Sequence, residues 1–422
     1  MSRSQRTGVS ITPFHVAGVL FLAVGLLFGI YRGLMEFGAV PDVSWMTWSH
    51  IHYVTIGGFS QLVVVMAPQL LASKLDRPTP SSWFTWTSFL GLNSGFLVLW
   101  YGRAFNVIPA FDLGLAVVWL VIFGLFAVSV RMALQTDRDA WDATVGLYLL
   151  SSFVFLLGIL FAIGLYSHPW TVPGGWHGLR ESHVHANSFG FLGFAIFASL
   201  YEVFPRIVDA ELYSERLKGY SFWFLLVGIV GMVMGPWTAM DELVTGPGLT
   251  LYGIGFLLYF YNLYRTYRAG TSSGLAQSVL ASQAWLLGPA MFAPFLLYGI
   301  PLGIDGGWVE QGALHFLFMG FALPVALGGV LYFFRNLPGV GLGAADDASL
   351  PEPVVPGGIP TWMVVIWNVA VLGVGVAFFF QDQSWAPYLH MIGWPILVVI
   401  WGYQLALIAR QRLAVRETVV ST

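Results

Sequence analysis

Twelve apolar stretches, each long enough to cross a bilayer, recur along this 422-residue chain at about 13–33, 50–72, 84–103, 113–130, 144–166, 184–206, 220–240, 248–264, 279–300, 312–334, 361–380 and 388–409. In hydrocarbon every backbone amide must find its partner within its own segment, so an isolated stretch of this kind can only be a helix. Composition agrees, with 57% of residues hydrophobic and 9% charged, far from soluble globular domains. The sequence predicts an all-α, multi-pass membrane protein of twelve transmembrane helices, forming one polytopic domain over residues 1–422.

Basic residues set the expected orientation, because they are retained on the cytoplasmic side. Taking alternate connections, fifteen lysines and arginines fall on one side and only Arg32, Arg103 and Arg180 on the other. Both termini are therefore expected in the cytoplasm, with the chain in the plasma membrane. The first stretch follows a basic tail but is too long for a signal-peptide core, and no small-residue cleavage site follows it, so it reads as a retained helix. The chain has no cysteine, which excludes iron–sulfur clusters, covalent haem attachment and thiolate chemistry within it. A net charge of −3 without a basic patch gives no footprint for nucleic acid.

Histidine recurs at one depth of three of these stretches, as Ser49-His50-Ile51-His52, Ser182-His183-Val184-His185 and Ala313-Leu314-His315. Each final histidine has glycine five residues on, at Gly57, Gly190 and Gly320, and the units are 133 and 130 residues apart. That period implies three four-helix units, roughly 1–140, 141–270 and 271–422, with the histidines on the second helix of each. All three helices are entered from the outer side, which places the histidines in the outer third of the membrane. Residues two apart on a helix point about 200° from each other, so His50 and His52 serve different spaces, as do His183 and His185. Each helix can then serve the gap on either side of it within a ring.

A bis-histidine haem fits such a gap, since its axial ligands come from helices facing each other across the porphyrin. The bland alternative is a set of helix-end histidines bonded near the headgroups; five at matched depth weigh against it. A mononuclear copper or zinc site is the other alternative, although no carboxylate, thiolate or third convergent histidine accompanies it. Haem propionates need cationic partners, for which Arg103 and Arg180 are the candidates, Arg180 first because it stands three residues before His183. Arg32 reads as a juxtamembrane anchor. The glycine-rich connection 167–180, with His168, Trp170, Trp176 and His177, could cap a site below it, and 336–360 reads as a flexible cytoplasmic link. Glu202, inside the sixth stretch, calls for a reason such as proton uptake or a pairing with Arg206, and His390 opens the twelfth stretch as a further ligand or second donor.

Twelve helices in three arcs with histidines on the second, sixth and tenth resemble subunit I of the haem–copper oxidase superfamily. The run from His185 to Leu217, with Gly190-Phe191, Tyr201, Phe204-Pro205-Arg206, Tyr213-Ser214 and Arg216-Leu217, followed by Phe222-Trp223 and Gly235-Pro236, is similar to the C-type cytochrome oxidases and nitric oxide reductases. The resemblance implies a low-spin haem between the second and tenth helices, matched here by His52, or His50, with His315. It also implies a high-spin haem on the first histidine of a tenth-helix pair and a copper ion on one sixth-helix histidine plus an adjacent pair on the seventh. This sequence has His185, but Ala313 and Trp237-Thr238 stand where those other ligands belong.

The expectation is thus respiratory-type electron transfer through a b-type haem, one or two per chain, with no copper at the usual family site. A cytochrome or cupredoxin electron donor and small accessory membrane subunits are the implied partners, and the gas is O2 or NO. The His-x-His on the second helix is also similar to NnrS-like membrane proteins, which implies non-catalytic nitric oxide handling as the alternative. A secondary transporter would use the repeats, but such folds carry broken helices at the midplane rather than histidines at one face.

Overall fold

The computed structural model describes residues 13–36, 38–166, 171–297, 306–328 and 359–420, and these form helices and connections with no strand among them. In chain order the long helices are α1 (Pro13–Glu36), α2 (Met46–Lys74), α3 (Ser82–Ala104), α4 (Ile108–Leu134), α5 (Ala143–Tyr166), α6 (Gly175–Val208), α7 (Glu215–Trp237) and α8 (Asp241–Ala269). They continue with α9 (Gly274–Ala284), α10 (Leu287–Leu297), α11 (Gly306–Gly328), α12 (Thr361–Phe379) and α13 (Ala386–Val420). Among the described residues ten helices are long and apolar enough to span a bilayer. The expected link 336–360, like His168 and Trp170, lies largely outside the described residues.

Two of the twelve expected spans differ from the rest. Helix α3 has the length but not the apolarity, because Thr87, Asn93 and Ser94 lie along it; each returns its side-chain donor to the carbonyl four residues back, at 2.9, 2.7 and 2.7 Å. Such bonds within the helix lower the cost of carrying polar side chains in lipid. The stretch expected at 279–300 breaks at Trp285-Leu286 into α9 and α10. Pro289 has no N–H to bond the Trp285 carbonyl and disfavours helical backbone at Gly288. The chain tightens there to three-residue spacing, with Trp285 N to Ser282 O at 3.1 Å and Gly288 N to Trp285 O at 3.1 Å.

Neighbours in sequence pack side by side, and α13 returns to α1, closing a ring. Where close approach is needed, side chains vanish: a Cβ on Gly231 of α7 would lie 2.7 Å from the Gly248 Cα of α8. Helices α2, α6 and α11 are the most deeply buried of the ten, with 72% of the apolar window of each inside the protein. Phe59 of α2 meets Phe318 of α11 at 6.3 Å, Phe197 of α6 meets Phe321 of α11 at 6.0 Å, and the second half of α2 packs on α6. The histidine-bearing helices are the inner ones.

All three widen to π-helical turns directly after the histidines, at Tyr53–Phe59, Ala186–Gly193 and Phe316–Ala322. Such turns are rare and gather at functional sites, because they re-aim side chains without ending the helix. The glycine five residues beyond each histidine sits in the widened turn, where Gly57 abuts Phe21, Gly190 abuts Val154 and Gly320 abuts Trp285. Phe21 and Val154 belong to the helix just before the histidine helix, and Trp285 to the break between α9 and α10 that precedes α11, so an aromatic or branched side chain from the preceding segment meets the glycine each time.

At the end remote from the histidines, Asp142 gathers three helices. One carboxylate oxygen caps α5 through the Thr144 and Val145 amides at 3.0 and 3.1 Å, while the other takes Lys218 of α7 at 2.8 Å and Lys74 of α2 at 3.0 Å. Burial alone would raise the Asp142 pKa, but the hydrogen bond and charge of Lys218, with Lys74, hold the carboxyl below its ordinary range.

Candidate histidine ligand centre

Histidine side chains are oriented here by backbone carbonyls. His50 Nδ1 donates to Gly25 O of α1 at 2.7 Å, and His183 Nδ1 donates to Gly158 O of α5 at 2.7 Å. Both span 25 residues. His52 Nδ1 donates to Trp48 O at 2.8 Å and His315 Nδ1 to Gln311 O at 2.7 Å, each one turn back on its own helix. His185 Nδ1 donates to Met232 O of α7 at 2.7 Å. A carbonyl can only accept, so in each case the proton resides on Nδ1 and the Nε2 lone pair is left as a metal donor.

One facing pair stands across the gap between α2 and α11. The rings of His50 and His315 lie with centroids 5.9 Å apart and planes 18° from parallel. Two imidazoles sharing one metal ion, each nitrogen about 2 Å from it, need roughly 6 Å between ring centres. Trp394 of α13 meets both rings edge-on at 5.5 and 5.7 Å, and Phe378 of α12 stacks on His315 at 4.1 Å. A cavity of about 50 Å³ lies here, bounded by Gly29, Arg32, His50, His315, Phe378 and Trp394 among others. Gly29 is required: a Cβ there would stand 3.0 Å from His50 Cε1 and 2.9 Å from the Trp394 ring.

The structure pairs His315 with His50, whereas the sequence reading placed His52 first and His50 as the alternative. The reason is axial rotation: the Gly25 carbonyl draws His50 toward α1 and α11, which turns His52 to the other side of α2. There His52 stacks on Trp48 at 4.0 Å. His390 of α13, the further candidate, packs edge-on against Phe378 at 4.2 Å, one ring removed from His315.

The arginines also separate. Arg32, read as an anchor, lines the His50–His315 cavity. Arg180, the leading sequence candidate for a propionate, is engaged with Glu181 at 2.6 Å and with Glu310 of α11. Arg103 lies over the Tyr166 ring at 5.6 Å, and its Nε is buried with no hydrogen-bond partner. Glu202 pairs with Arg206 one turn later. The expected capping loop is shorter than its sequence suggested, since Gly175 onward is already α6, with Trp176 and His177 exposed at its start.

His185 keeps different company. Ala313, the tenth-stretch position two residues before His315, carries no ligand, and Trp237 and Thr238 end α7 beyond Met232. Among the described residues no group of three or more histidines, aspartates or glutamates is gathered as a metal site. Gly288 nonetheless stands 25 residues before Ala313, the interval that separates Gly25 from His50 and Gly158 from His183. No sequence inspection limited to histidines would find these glycines; the shared interval is the signal that could have.

No family model matches the chain. It is 24% identical over 313 residues to cytochrome c oxidase subunit 1 of Rhodobacter capsulatus, covering 61% of this chain and 55% of that one. To the bacteroid cytochrome c oxidase subunit 1 homolog of Bradyrhizobium diazoefficiens it is 24% identical over 317 residues, 62% of this chain and 54% of the other. The chain thus spans about half the length of the curated relatives it matches. A heme-copper terminal oxidase dimer solved by cryo-EM superposes with a TM-score of 0.73 at 14% identity, covering 94% of this chain and 83% of that chain. The fold is that of the haem–copper oxidases. In sequence the chain is similar to their subunit I.

Proposed function

We propose that this chain is a plasma-membrane haem protein that passes electrons through a low-spin b-type haem held between His50 and His315, and that it lacks the usual haem–copper reaction centre. The facing imidazoles, each with Nδ1 fixed on a carbonyl and Nε2 presented to the gap, carry this reading. The donor set suits haem: two neutral nitrogens and no carboxylate among the residues bounding the cavity. Haem bound there supplies one-electron redox chemistry.

The chain's own residues do the rest. Gly25 and Gln311 fix the tautomer and direction of the two rings, Phe378 and Trp394 keep water from them, and Arg32 offers a cation to an anionic group at the cavity edge. With the histidine end on the outer side, as the arginine and lysine distribution favours, electrons would come from an extracytoplasmic donor, a cytochrome or cupredoxin. Small accessory membrane subunits would complete the assembly. Ala313 and Trp237-Thr238 leave the remaining oxidase ligands missing, so this reading gives O2 or NO no ordinary reduction site and copper no three-imidazole site. Reduced-minus-oxidised spectra of the purified protein, with a haem count, test the proposal. A low-spin b-type signal lost in His50→Ala is expected; a protein without haem after expression under haem sufficiency would overturn it.

A further inference from the structure

The surface of α8 changes character along one stripe. Ile254, Leu257, Tyr261, Tyr264 and Arg268 are exposed and follow one another at alternating three- and four-residue steps, so they share a face. Toward the end remote from the histidines that face runs from apolar through aromatic to basic. A phospholipid presents its acyl chains, glycerol backbone and phosphate in the same order.

The basic end of the stripe is built as well as charged. Arg265 Nη1 donates to the Tyr261 hydroxyl at 2.8 Å and Arg268 Nη1 to the Tyr264 hydroxyl at 3.2 Å, each one turn back on the helix. Arg265 also lies 4.3 Å from the centre of the Tyr213 ring, which belongs to the connection between α6 and α7. That connection is pinned from beneath. The Tyr213 amide donates to Thr266 Oγ1 at 3.0 Å and the Ser214 amide to Asn262 Oδ1 at 3.0 Å, while Asn262 Nδ2 donates to the Ser214 carbonyl at 2.9 Å. Asn262 and Thr266 are wholly buried. The guanidiniums are therefore held before any ligand arrives, which lowers the ordering cost of binding. Most of their N–H donors stay unused, and each phenol oxygen that accepts keeps its own O–H to donate. No carboxylate among the described residues pairs with either arginine, in contrast to Lys74, Arg180, Arg206 and Lys218.

Anchoring alone asks for less. Tyrosine and arginine at a membrane surface hold a helix at its depth without a hydroxyl beneath each guanidinium or a pinned ring across it. Arg131 and Arg138, exposed at the same end, have no tyrosine beneath them among the described residues. We infer that Arg265 and Arg268, with Tyr213, Tyr261 and Tyr264, form a binding site for the phosphate of an anionic phospholipid whose acyl chains lie along Leu257 and Ile254. Phosphate esters in solution share the headgroup's chemistry but make no use of the apolar half of the stripe, which favours the lipid.

Native mass spectrometry of the full-length protein tests this, after incubation in detergent with equal amounts of phosphatidylglycerol and phosphatidylcholine of matched chains. One phosphatidylglycerol should be retained with a preference of roughly thirtyfold, about fivefold for each arginine at the surface. Arg265→Gln combined with Arg268→Gln should bring the two lipids close to parity, whereas Arg131→Gln combined with Arg138→Gln should leave the preference unchanged. Glycerol phosphate in excess should not displace the lipid. Should the Arg265/Arg268 variant fail to fold, Tyr261→Phe combined with Tyr264→Phe removes the hydroxyl tethers and should lower the preference about twofold or more. Absence of a preference in the parent protein would overturn the inference, as would its survival in either of these paired variants. An equal loss in the Arg131/Arg138 variant, or displacement by glycerol phosphate, would overturn it too.

Discussion

Two gaps in the same ring are built differently. Between α2 and α11 two imidazoles face each other with Arg32 alongside, whereas His185 of α6 turns to the Met232 carbonyl of α7, and alanine stands at 313, two residues before His315 on α11. The arginine nearest that second gap, Arg180, is tied to Glu181 and to Glu310 of the opposite helix. A missing donor and a neutralised cation occur together. Under the proposed function the difference teaches that a missing imidazole and an arginine already held by carboxylates go together, since Glu181 and Glu310 occupy the charge a propionate would need.

The sharpest way to break this comparison is to remove one imidazole from each gap. His315→Ala should abolish the low-spin signal of the complete gap, and His185→Ala should leave it unchanged in reduced-minus-oxidised spectra. Equal losses in the two variants would erase the distinction. A gain is expected next: Ala313→His combined with Glu310→Gln adds an imidazole to α11 and removes one of the two carboxylates on Arg180, with Gly288 at the same 25-residue interval as Gly25 and Gly158. Haem content should rise above that of the parent protein, and an unchanged ratio would show that the gap is closed by packing rather than by lack of a ligand. Carbon monoxide gives a smaller readout. A haem with both axial positions filled by fixed histidines should bind it slowly and in well under stoichiometric amount after reduction; rapid stoichiometric binding would place an open haem at His185.

The smallest effect at the histidines is expected from the far end of the ring. Asp142→Asn leaves the buried Lys218 without its main counter-charge, which costs on the order of 3 kcal/mol, yet the haem spectrum should not move. The pH dependence has a definite sign. Because the Asp142 carboxyl titrates below its ordinary range when folded, its contribution is fully present above about pH 4, the unfolded value, and is lost as pH falls through the depressed one. Thermal unfolding of the parent protein should therefore steepen in its pH dependence below pH ~4, and Asp142→Asn should flatten that limb.

Much of this was legible in the sequence. Apolar length marked the helical membrane fold, and the matched depth of His50, His52, His183, His185 and His315 marked one set of candidate ligands on three inner helices. What remained hidden was rotation about the helix axis. Two residues apart on a helix, His50 and His52 are equally good candidates for either gap, and only the Gly25 carbonyl, on another helix, chooses between them. The π-helical turns were invisible for a related reason, since they arise from tertiary packing of Phe21, Val154 and Trp285 against the glycines rather than from local propensity. For Arg180 the charge was legible and its partner was not: Glu310 lies 130 residues away in sequence. The break at Trp285-Leu286, by contrast, was announced by Gly288-Pro289 and overridden in the reading by the apolarity around it.

That break bears on how the chain enters a membrane. Helix α9 holds eleven residues, about 16 Å of rise against a hydrocarbon layer of about 30 Å. It cannot cross a bilayer by itself, and its exit at Trp285 has to be packed within protein. The Trp285 side chain is held there only once α11 and α12 are present, with its ring against Gly320 and its indole N–H donated to the Asn368 amide oxygen. Translocation of this segment therefore has to wait for chain made later, so that a nascent polypeptide ending before α11 should be held by the insertion machinery or degraded, while one ending after α8 should integrate normally.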